Sequence, residues 1–149
     1  MTHSELVVKA EKWLKQQGCS VILSDQLHAK PINGESPDAI GWRDGLSINV
    51  ECKTTRADFL SDKNKLFRID AAKGMGDWRF YLCPAGIINK EDLPTGWGLL
   101  WATPRTVQKI HGTPSGNCNW WKDKPFDACK RSETMMLVSA LRRIKSSSK

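Results

Sequence analysis

The sequence lacks the cysteine pattern of a disulfide-stabilised or zinc-binding protein. It has an odd number of cysteines and no Cys-x-x-Cys pair; they are Cys19, Cys52, Cys83, Cys118 and Cys129. Such wide spacing predicts neither a disulfide framework nor a structural zinc site. A small zinc subdomain built from His111, Cys118 and Cys129 is the alternative, although these spacings match no zinc pattern.

Long apolar runs are also missing. No stretch approaches the roughly 18 residues of a membrane-spanning helix, and the first residues have neither the basic n-region nor the apolar h-region of a signal peptide. We therefore expect a cytoplasmic protein with no membrane partner. The sequence also contains no internal repeat, no Gly-rich nucleotide loop and no spacing that argues for a Ser-His-Asp triad.

Acidic residues are scarce relative to basic ones. Lys and Arg number 23 against 16 Asp and Glu, which gives a formal net charge of +7. This balance favours a polyanionic partner through counterion release, although charge alone does not distinguish DNA from RNA or an anionic membrane. The 149 residues suit one domain, with its core at about 1–103 and a loop plus a basic C-terminal helix at 104–149.

The strongest local pattern lies in the stretch from Pro37 to Lys53. Residues 48–53 alternate apolar and polar side chains, which predicts a strand with one buried, apolar face. Glu51 and Lys53 then lie together on the other, polar face. The preceding Asp44-Gly45 predicts a hairpin turn. If these two residues form the loop, Asp38 lies opposite Glu51, and two carboxylates and an ammonium meet on one patch of sheet.

Two carboxylates that face each other across a strand pair repel unless a cation lies between them. Their Cβ atoms would be only about 4.5–5.5 Å apart. Mg²⁺ prefers oxygen ligands and typically takes one or two protein carboxylates, so Asp38 and Glu51 are candidate ligands for Mg²⁺, with Mn²⁺ as a substitute. Lys53 could orient or help deprotonate an attacking water and offset charge on a phosphate. The alternative is a solvated ion network on an exposed sheet face.

Pro37-Asp38 followed by Glu51-Cys52-Lys53 resembles the signature of the PD-(D/E)XK nuclease superfamily. The continuation from Lys53 to Lys63 is similar to MmcB-type bacterial DNA-repair proteins of that superfamily and to small phage proteins. The resemblance covers roughly residues 1–103. It implies an α/β restriction-endonuclease-like core, with a central mixed β-sheet, a β-hairpin that carries the site, and flanking α-helices. The predicted order of helix, strand, hairpin, helix, strand, strand agrees with that class.

The resemblance also implies an activity, that of a Mg²⁺-dependent DNA endonuclease in DNA repair, recombination or phage DNA metabolism. Asp38 and Glu51 would hold the metal, the carbonyl of Cys52 would complete the protein ligands, and Lys53 would handle the water. In-line attack would leave 5′-phosphate and 3′-hydroxyl ends. A first-helix Glu often faces the metal in this superfamily, which makes Glu5 a candidate auxiliary carboxylate; an acidic residue there also simply complements the helix dipole.

The sequence is also compatible with two other classes of function. One is a non-catalytic nucleic-acid-binding protein on the same fold, and the other is a phage accessory or counter-defence protein whose partner is a protein. A homodimer is an expectation of the nuclease hypothesis, because cutting both strands usually needs two sites. His3 is near enough to the predicted site to be considered as a proton carrier, although a terminal His is often mobile.

Hydrophobic periodicity and capping residues place the other elements. Ser4 is predicted to cap a first helix that ends at Gly18, and Thr54 or Thr55 a second that runs to about Ala72. Short strands are predicted at 21–23, at 78–83 in the middle of the sheet, and at 98–102 as the last strand. Ser132 is predicted to cap a C-terminal helix. Its inward side chains would be Met135, Met136, Val138, Leu141 and Ile144.

Cations and aromatic residues outside the hairpin are candidate DNA contacts. Arg56 lies in the first turn of the second helix, where a helix amino terminus attracts phosphate. Exposed Trp beside Lys is typical of sites that stack bases and hold phosphates, although packing beneath a long loop explains the aromatics equally well. The candidates are Arg56, Lys63, Lys65, Trp120, Trp121, Lys122, Arg142 and Arg143.

Overall fold

A mixed β-sheet with helices on both faces forms the centre of the fold. The computed structural model describes residues 1–24, 36–62 and 70–147. Its helices are α1 (His3–Gln16), α2 (Arg56–Asp62), α3 (Asn119–Lys122) and α4 (Lys130–Ser147), with 3₁₀ turns at Ala71–Lys73 and Lys90–Asp92. Its strands are β1 (Val21–Ser24), β2 (Ala39–Arg43), β3 (Leu46–Cys52), β4 (Trp78–Pro84), β5 (Gly98–Ala102) and β6 (Val107–His111). These elements confirm the predicted α/β class.

The six strands lie in sequence order across one sheet. Strands β3, β4 and β5 are parallel to one another, and the other neighbouring pairs are antiparallel. The carboxyl ends of β3, β4 and β5 therefore share one edge of the sheet with the start of β2. We call this the C-terminal edge. Helix α1 packs on one face, while α2 and α4 pack on the other.

The hairpin of β2 and β3 has the predicted register. Ala39 pairs with Val50 and Arg43 with Leu46, so Asp44 and Gly45 form the two-residue loop. Both loop residues have positive φ angles, 45° and 79°, as a type I′ turn requires, and Asp and Gly tolerate these angles best. The next pair beyond Ala39 and Val50 would be Asp38 and Glu51. The turn chemistry thus sets which face of the sheet each polar side chain occupies.

Helix boundaries depart from the prediction in three places. Helix α4 begins at Lys130, so Ser132, its predicted cap, lies inside its first turn. Thr2, not Ser4, caps α1, because its hydroxyl accepts a hydrogen bond from the backbone N–H of Glu5 at 3.2 Å. A Thr three residues before a Glu is the capping-box spacing, which the prediction overlooked. The second helix does not extend to Ala72, since Asp70 is extended and caps a separate 3₁₀ turn.

Strand β4 lies between β3 and β5 and is buried along most of its length, which confirms its predicted central position. The prediction that β5 is the last strand is wrong, because β6 pairs with it across a bulge between Leu99 and Leu100. Strand β6 reads Val-Gln-Lys-Ile-His and is largely exposed. An edge strand with three polar residues in five gives no alternating signal. None of the helices in the described parts of the chain is long and apolar enough to span a membrane.

Helix α4 turns a different face to the sheet than its apolar residues predict. Met136 is buried as expected, but four predicted inward side chains are 45–65% exposed: Met135, Val138, Leu141 and Ile144. The reason is Glu133, which is 2% exposed. Its carboxylate accepts hydrogen bonds from the Ser47 hydroxyl and the Gly76 backbone N–H, each at 2.7 Å. These bonds fix the rotation of the helix.

Asp77 and Lys130 belong to the same polar cluster, at the edge opposite the C-terminal edge. The Asp77 carboxylate accepts hydrogen bonds from Lys130 Nζ at 2.7 Å and from the backbone N–H groups of Ser47 and Ala128 at 3.0 and 3.2 Å. Burial acts to raise the pKa of Asp77, but these bonds outweigh it and hold the pKa below its ordinary value. Burial likewise acts to lower the pKa of Lys130, and its bonds to Asp77 and Glu133 raise it instead.

Candidate functional site

A polar cleft opens at the C-terminal edge, where β3 ends and β2 begins. Its volume is about 330 Å³. The residues that line it are His3, Ser36, Asp38, Glu51, Cys52, Lys53, Asp58, Ser61 and Asp62. The structure therefore brings together four of the residues predicted from the hairpin pattern: Asp38, Glu51, Cys52 and Lys53.

Asp38 is held at the point where the pairing of β2 with β3 ends. Its Oδ2 accepts a hydrogen bond from the backbone N–H of Cys52 at 2.8 Å, and its Oδ1 lies 3.2 Å from His3 Nε2. The carboxylate thus takes the place of a strand carbonyl. Because the N–H and C=O groups of a strand residue point to the same side, the carbonyl of Cys52 also faces the side of β3 on which Asp38 lies.

Glu51 is the last polar residue of β3 and is 5% exposed. It lies between β2 and β4, and its partner on β4 is Tyr81. Continuing the hairpin register by one residue puts Asp38 directly across from it, on the same face of the sheet. A nearly buried carboxylate beside a second carboxylate favours a cation nearby, because burial strengthens their repulsion.

Lys53 is positioned by a carboxylate that the sequence did not single out as functional. Its Nζ lies 3.1 Å from Oδ1 of Asp62, and the exposed fractions of the two side chains are 12% and 0%. The hydroxyl of Tyr81, itself buried, donates to Oδ2 of Asp62 at 2.5 Å. One oxygen of Asp62 is thus fixed by Tyr81, and the other holds the ammonium of Lys53 at the cleft.

The spacing of Asp58 and Asp62, four residues apart on one helix, predicts salt bridges with Arg56, Lys63 or Lys65. Asp62 forms a salt bridge, but its cation is Lys53. The pairing arises because α2 folds back over the end of β3, a tertiary contact that spacing does not encode. Asp58, one turn earlier, is exposed and accepts a hydrogen bond from the Thr54 hydroxyl at 3.2 Å.

His3, not Glu5, is the α1 residue that lines the cleft. Two residues along a helix are about 200° apart around its axis, so both side chains cannot face the same site. Glu5 is exposed and lies outside the lining residues, and its backbone N–H is used by the Thr2 cap. The prediction of Glu5 as an auxiliary carboxylate therefore has no support in this geometry. His3 lies where a proton carrier would have to be.

The donor set of the cleft suits a hard divalent cation. Asp38, Glu51 and the Cys52 carbonyl supply oxygen atoms only, and Mg²⁺ needs no more than one or two protein carboxylates. Within residues 1–24, 36–62 and 70–147, no group of three or more His, Cys, Asp or Glu is arranged to enclose a metal. That finding leaves the alternative zinc subdomain of His111, Cys118 and Cys129 without support.

Arg56 is engaged elsewhere. Its guanidinium makes two hydrogen bonds of 2.8 Å to the carboxylate of Asp92, and the same pair raises the pKa of Arg56. The side chain is half-exposed but does not line the cleft. A phosphate contact from Arg56 would have to share this cation with Asp92. The candidates Lys63 and Lys65 lie outside the described residues.

The aromatic candidates lie far from the cleft. Trp120 is 5% exposed and packs edge-on against Trp78, so it cannot stack a base and the packing interpretation is correct for it. Trp121 is partly exposed, but Arg43 covers its ring and its N–H points to the carbonyl of Asp44, at the hairpin turn. That turn and the cleft are at opposite ends of β3, about 20 Å apart.

The remaining predicted contacts are surface cations. Lys122 is exposed at the end of α3, beside Trp121. Arg142 and Arg143 are exposed on α4, as predicted. None of the three lines the polar cleft.

The fold has a counterpart among solved structures. SPO1766, a protein of unknown function from Silicibacter pomeroyi, superposes with a TM-score of 0.58 at 20% sequence identity, over 98% of this chain and 91% of that one. No protein-family model matches the chain, and no curated protein is significantly similar to it in sequence. At this identity the likeness concerns the fold alone: the chain shares its mixed α/β architecture with SPO1766.

Proposed function

We propose that the chain is a metal-dependent deoxyribonuclease with a PD-(D/E)XK-type site on a restriction-endonuclease-like core. The observation that supports this most directly is the meeting of Asp38, Glu51 and Lys53 in one cleft. The hairpin register and the contact between α2 and β3 hold these side chains at the carboxyl end of a parallel strand, where ligands commonly bind in open α/β sheets.

The distribution of charge indicates that the cleft needs a bound cation before it can accept a phosphodiester. The chain carries a net charge of +7, yet carboxylates outnumber cations in the cleft itself. A phosphodiester that enters such a cleft is repelled unless positive charge is added. Asp38 and Glu51, with the carbonyl of Cys52, would hold Mg²⁺ or Mn²⁺ here. When bound, the ion would supply the charge that stabilises the phosphoryl group under attack.

The residues of the chain itself have separate tasks. The ammonium of Lys53 donates hydrogen bonds to the attacking water or to a phosphate oxygen and offsets the charge that develops there. Asp62 and Tyr81 keep that ammonium in one place. His3, half-exposed at the mouth of the cleft, can carry a proton to the leaving 3′-oxygen. In-line attack by water then leaves 5′-phosphate and 3′-hydroxyl ends.

One incubation series tests this proposal. Wild type and Asp38→Asn are incubated with supercoiled, linear, single-stranded and four-way-junction DNA, with Mg²⁺ or with EDTA. We expect the wild type to cut at least one substrate with Mg²⁺ only, and Asp38→Asn to lose about 10²-fold or more of this rate. Asp127→Asn, an exposed residue that loses the same charge, is the control. Equal cutting by wild type and Asp38→Asn would end the assignment.

A second candidate is a non-catalytic DNA-binding protein on the same fold. The observation in its favour is that both oxygens of Asp38 already have partners, Cys52 and His3. This candidate predicts DNA binding that weakens with salt and no nicking with either Mg²⁺ or Mn²⁺. The same series therefore separates the two candidates.

Asp62 gives a prediction of its own, as a positioning residue. Asp62→Asn is expected to lower kcat about 10- to 100-fold, because a shift of the Lys53 ammonium by about 1 Å has a cost of that order. Asp58→Asn, also at the cleft, is the matched control. If Asp62 acts only through Lys53, then adding Asp62→Asn to Lys53→Met causes no further loss in single-turnover assays. A further loss would mean that Asp62 has a role independent of Lys53.

A further inference from the structure

A second cleft lies between α1 and the turn that joins β5 to β6. Its volume is about 70 Å³, much less than that of the polar cleft. The lining residues are Lys9, Lys12, Trp13, Gln16, Arg105, Thr106 and Val107. They include three cations and no carboxylate, so the electrostatics of this cleft are opposite to those of the first.

The cations of this basic cleft are built into the fold. Lys9, Lys12 and Gln16 share one flank of α1, because they are three and seven residues apart. Lys9 Nζ donates to the carbonyl of Pro104 at 3.3 Å and so ties the turn to the helix. In the part of the chain that the structure describes, Lys12 and Arg105 form no ion pair. Two like charges in one concavity repel, and an anion between them removes the repulsion.

Trp13 adds an independent observation. It lines the basic cleft and is 2% exposed, and its buried indole N–H has no hydrogen-bond acceptor among the described residues. Buried indole N–H groups usually find a partner. A ligand that brings oxygen atoms into the cleft supplies the kind of group that this donor lacks.

The basic cleft is close to the polar cleft. The turn after β5 lies at the same C-terminal edge as Lys53, two strands away, which is about 10 Å. Along α1, Lys9 and Lys12 lie about 9 and 14 Å from His3. Successive phosphates of one DNA strand advance about 3.4 Å along the duplex axis. Because the strand also winds around that axis, the separation of the two clefts corresponds to a few nucleotides.

We propose that the basic cleft binds a backbone phosphate of the DNA substrate, a few nucleotides from the bond that is cut. This inference rests on the proposed function and deepens it, since it gives the direction in which the bound DNA strand runs from the polar cleft. The three cations of the cleft suit a tetrahedral phosphate, and Trp13 is too buried to stack a base. Binding there is consequently independent of sequence, and it positions the strand without reading it.

The test compares two double variants that lose the same charge. Lys12→Gln/Arg105→Gln removes the two cations without an ion pair and keeps Lys9, which holds the turn. Lys124→Gln/Arg131→Gln is the control, on exposed residues near the opposite edge of the sheet. Affinity for a fluorescein-labelled 30-base-pair DNA is measured in EDTA at several salt concentrations. Thermal melting verifies that both variants fold like the wild type.

We expect Lys12→Gln/Arg105→Gln to bind at least about tenfold more weakly at 0.1 M salt. The slope of log affinity against log salt should fall by about two, one for each lost phosphate contact. The control should keep a nearly wild-type slope. If wild type cleaves DNA, the first variant should raise KM and leave kcat unchanged.

Three results would overturn the inference: equal weakening by both double variants, an unchanged salt slope in Lys12→Gln/Arg105→Gln, or no DNA binding by the wild type. Failure of the proposed function looks different. If wild type never cuts DNA but the first variant still loses affinity and slope as expected, the phosphate site stands and the nuclease assignment falls.

Discussion

Lys53→Ala is expected to lower the rate of Mg²⁺-dependent cleavage about 10²- to 10⁴-fold with little change in DNA affinity. The side chain is 12% exposed at the polar cleft, so solvent cannot replace its ammonium in the same position. The rate is measured under single-turnover conditions at saturating DNA, and affinity in EDTA. Lys90→Ala, an exposed cation outside the cleft, is the control and should keep the wild-type rate.

Stability must be separated from chemistry in this experiment. Lys53→Ala removes the ammonium that pairs with the fully buried carboxylate of Asp62, and breaking a buried pair in this way costs about 3–5 kcal/mol. The double variant Lys53→Met/Asp62→Asn removes both charges and is expected to be nearly as stable as the wild type. It should be equally inactive. A folded double variant that cuts DNA at the wild-type rate would show that Lys53 has no part in the chemistry.

The sequence was sufficient to predict the hairpin because its signals are local. Asp44-Gly45 specifies the turn, the turn specifies the register, and the register brings Asp38 across from Glu51. Lys53 follows from the two-residue period of the strand. No tertiary contact is needed for any of these steps, which is why they agree with the structure.

The contributions of Asp62 and His3 depend on contacts between distant segments. Asp62 reaches Lys53 only because α2 folds back on β3, and His3 reaches Asp38 only because α1 crosses the sheet with its first turn at the C-terminal edge. In helix α4, contacts between distant segments overrule the sequence pattern. Its most apolar face stays exposed because hydrogen bonds to Glu133 decide its rotation. The spacing of apolar residues predicts the rotation of a helix from hydrophobic area alone, and hydrogen bonds to distant segments are not part of that pattern.

A second large effect on stability is expected at Asp77, at the edge opposite the cleft. Asp77→Ala should lower the free energy of unfolding by about 3–5 kcal/mol, or the melting temperature by about 10–15 °C. The substitution leaves the buried N–H groups of Ser47 and Ala128 without this acceptor. It also removes the shortest hydrogen bond of Lys130, which keeps Glu133 as a partner. Asp127→Ala is the matched control, because the Asp127 carboxylate is 92% exposed and also pairs with a lysine. It should leave stability unchanged within error.

The pH dependence tests whether the charge of Asp77 is the cause. Its folded pKa lies below the unfolded value of about 3.9, so its contribution to stability is complete above that value and is lost as the pH falls through the folded pKa. Urea unfolding should therefore show a large difference between wild type and Asp77→Asn at pH 7. The difference should shrink steadily below about pH 4. A difference that stayed constant on acidification would mean that shape, and not the ionised carboxylate, fixes α4 against the sheet.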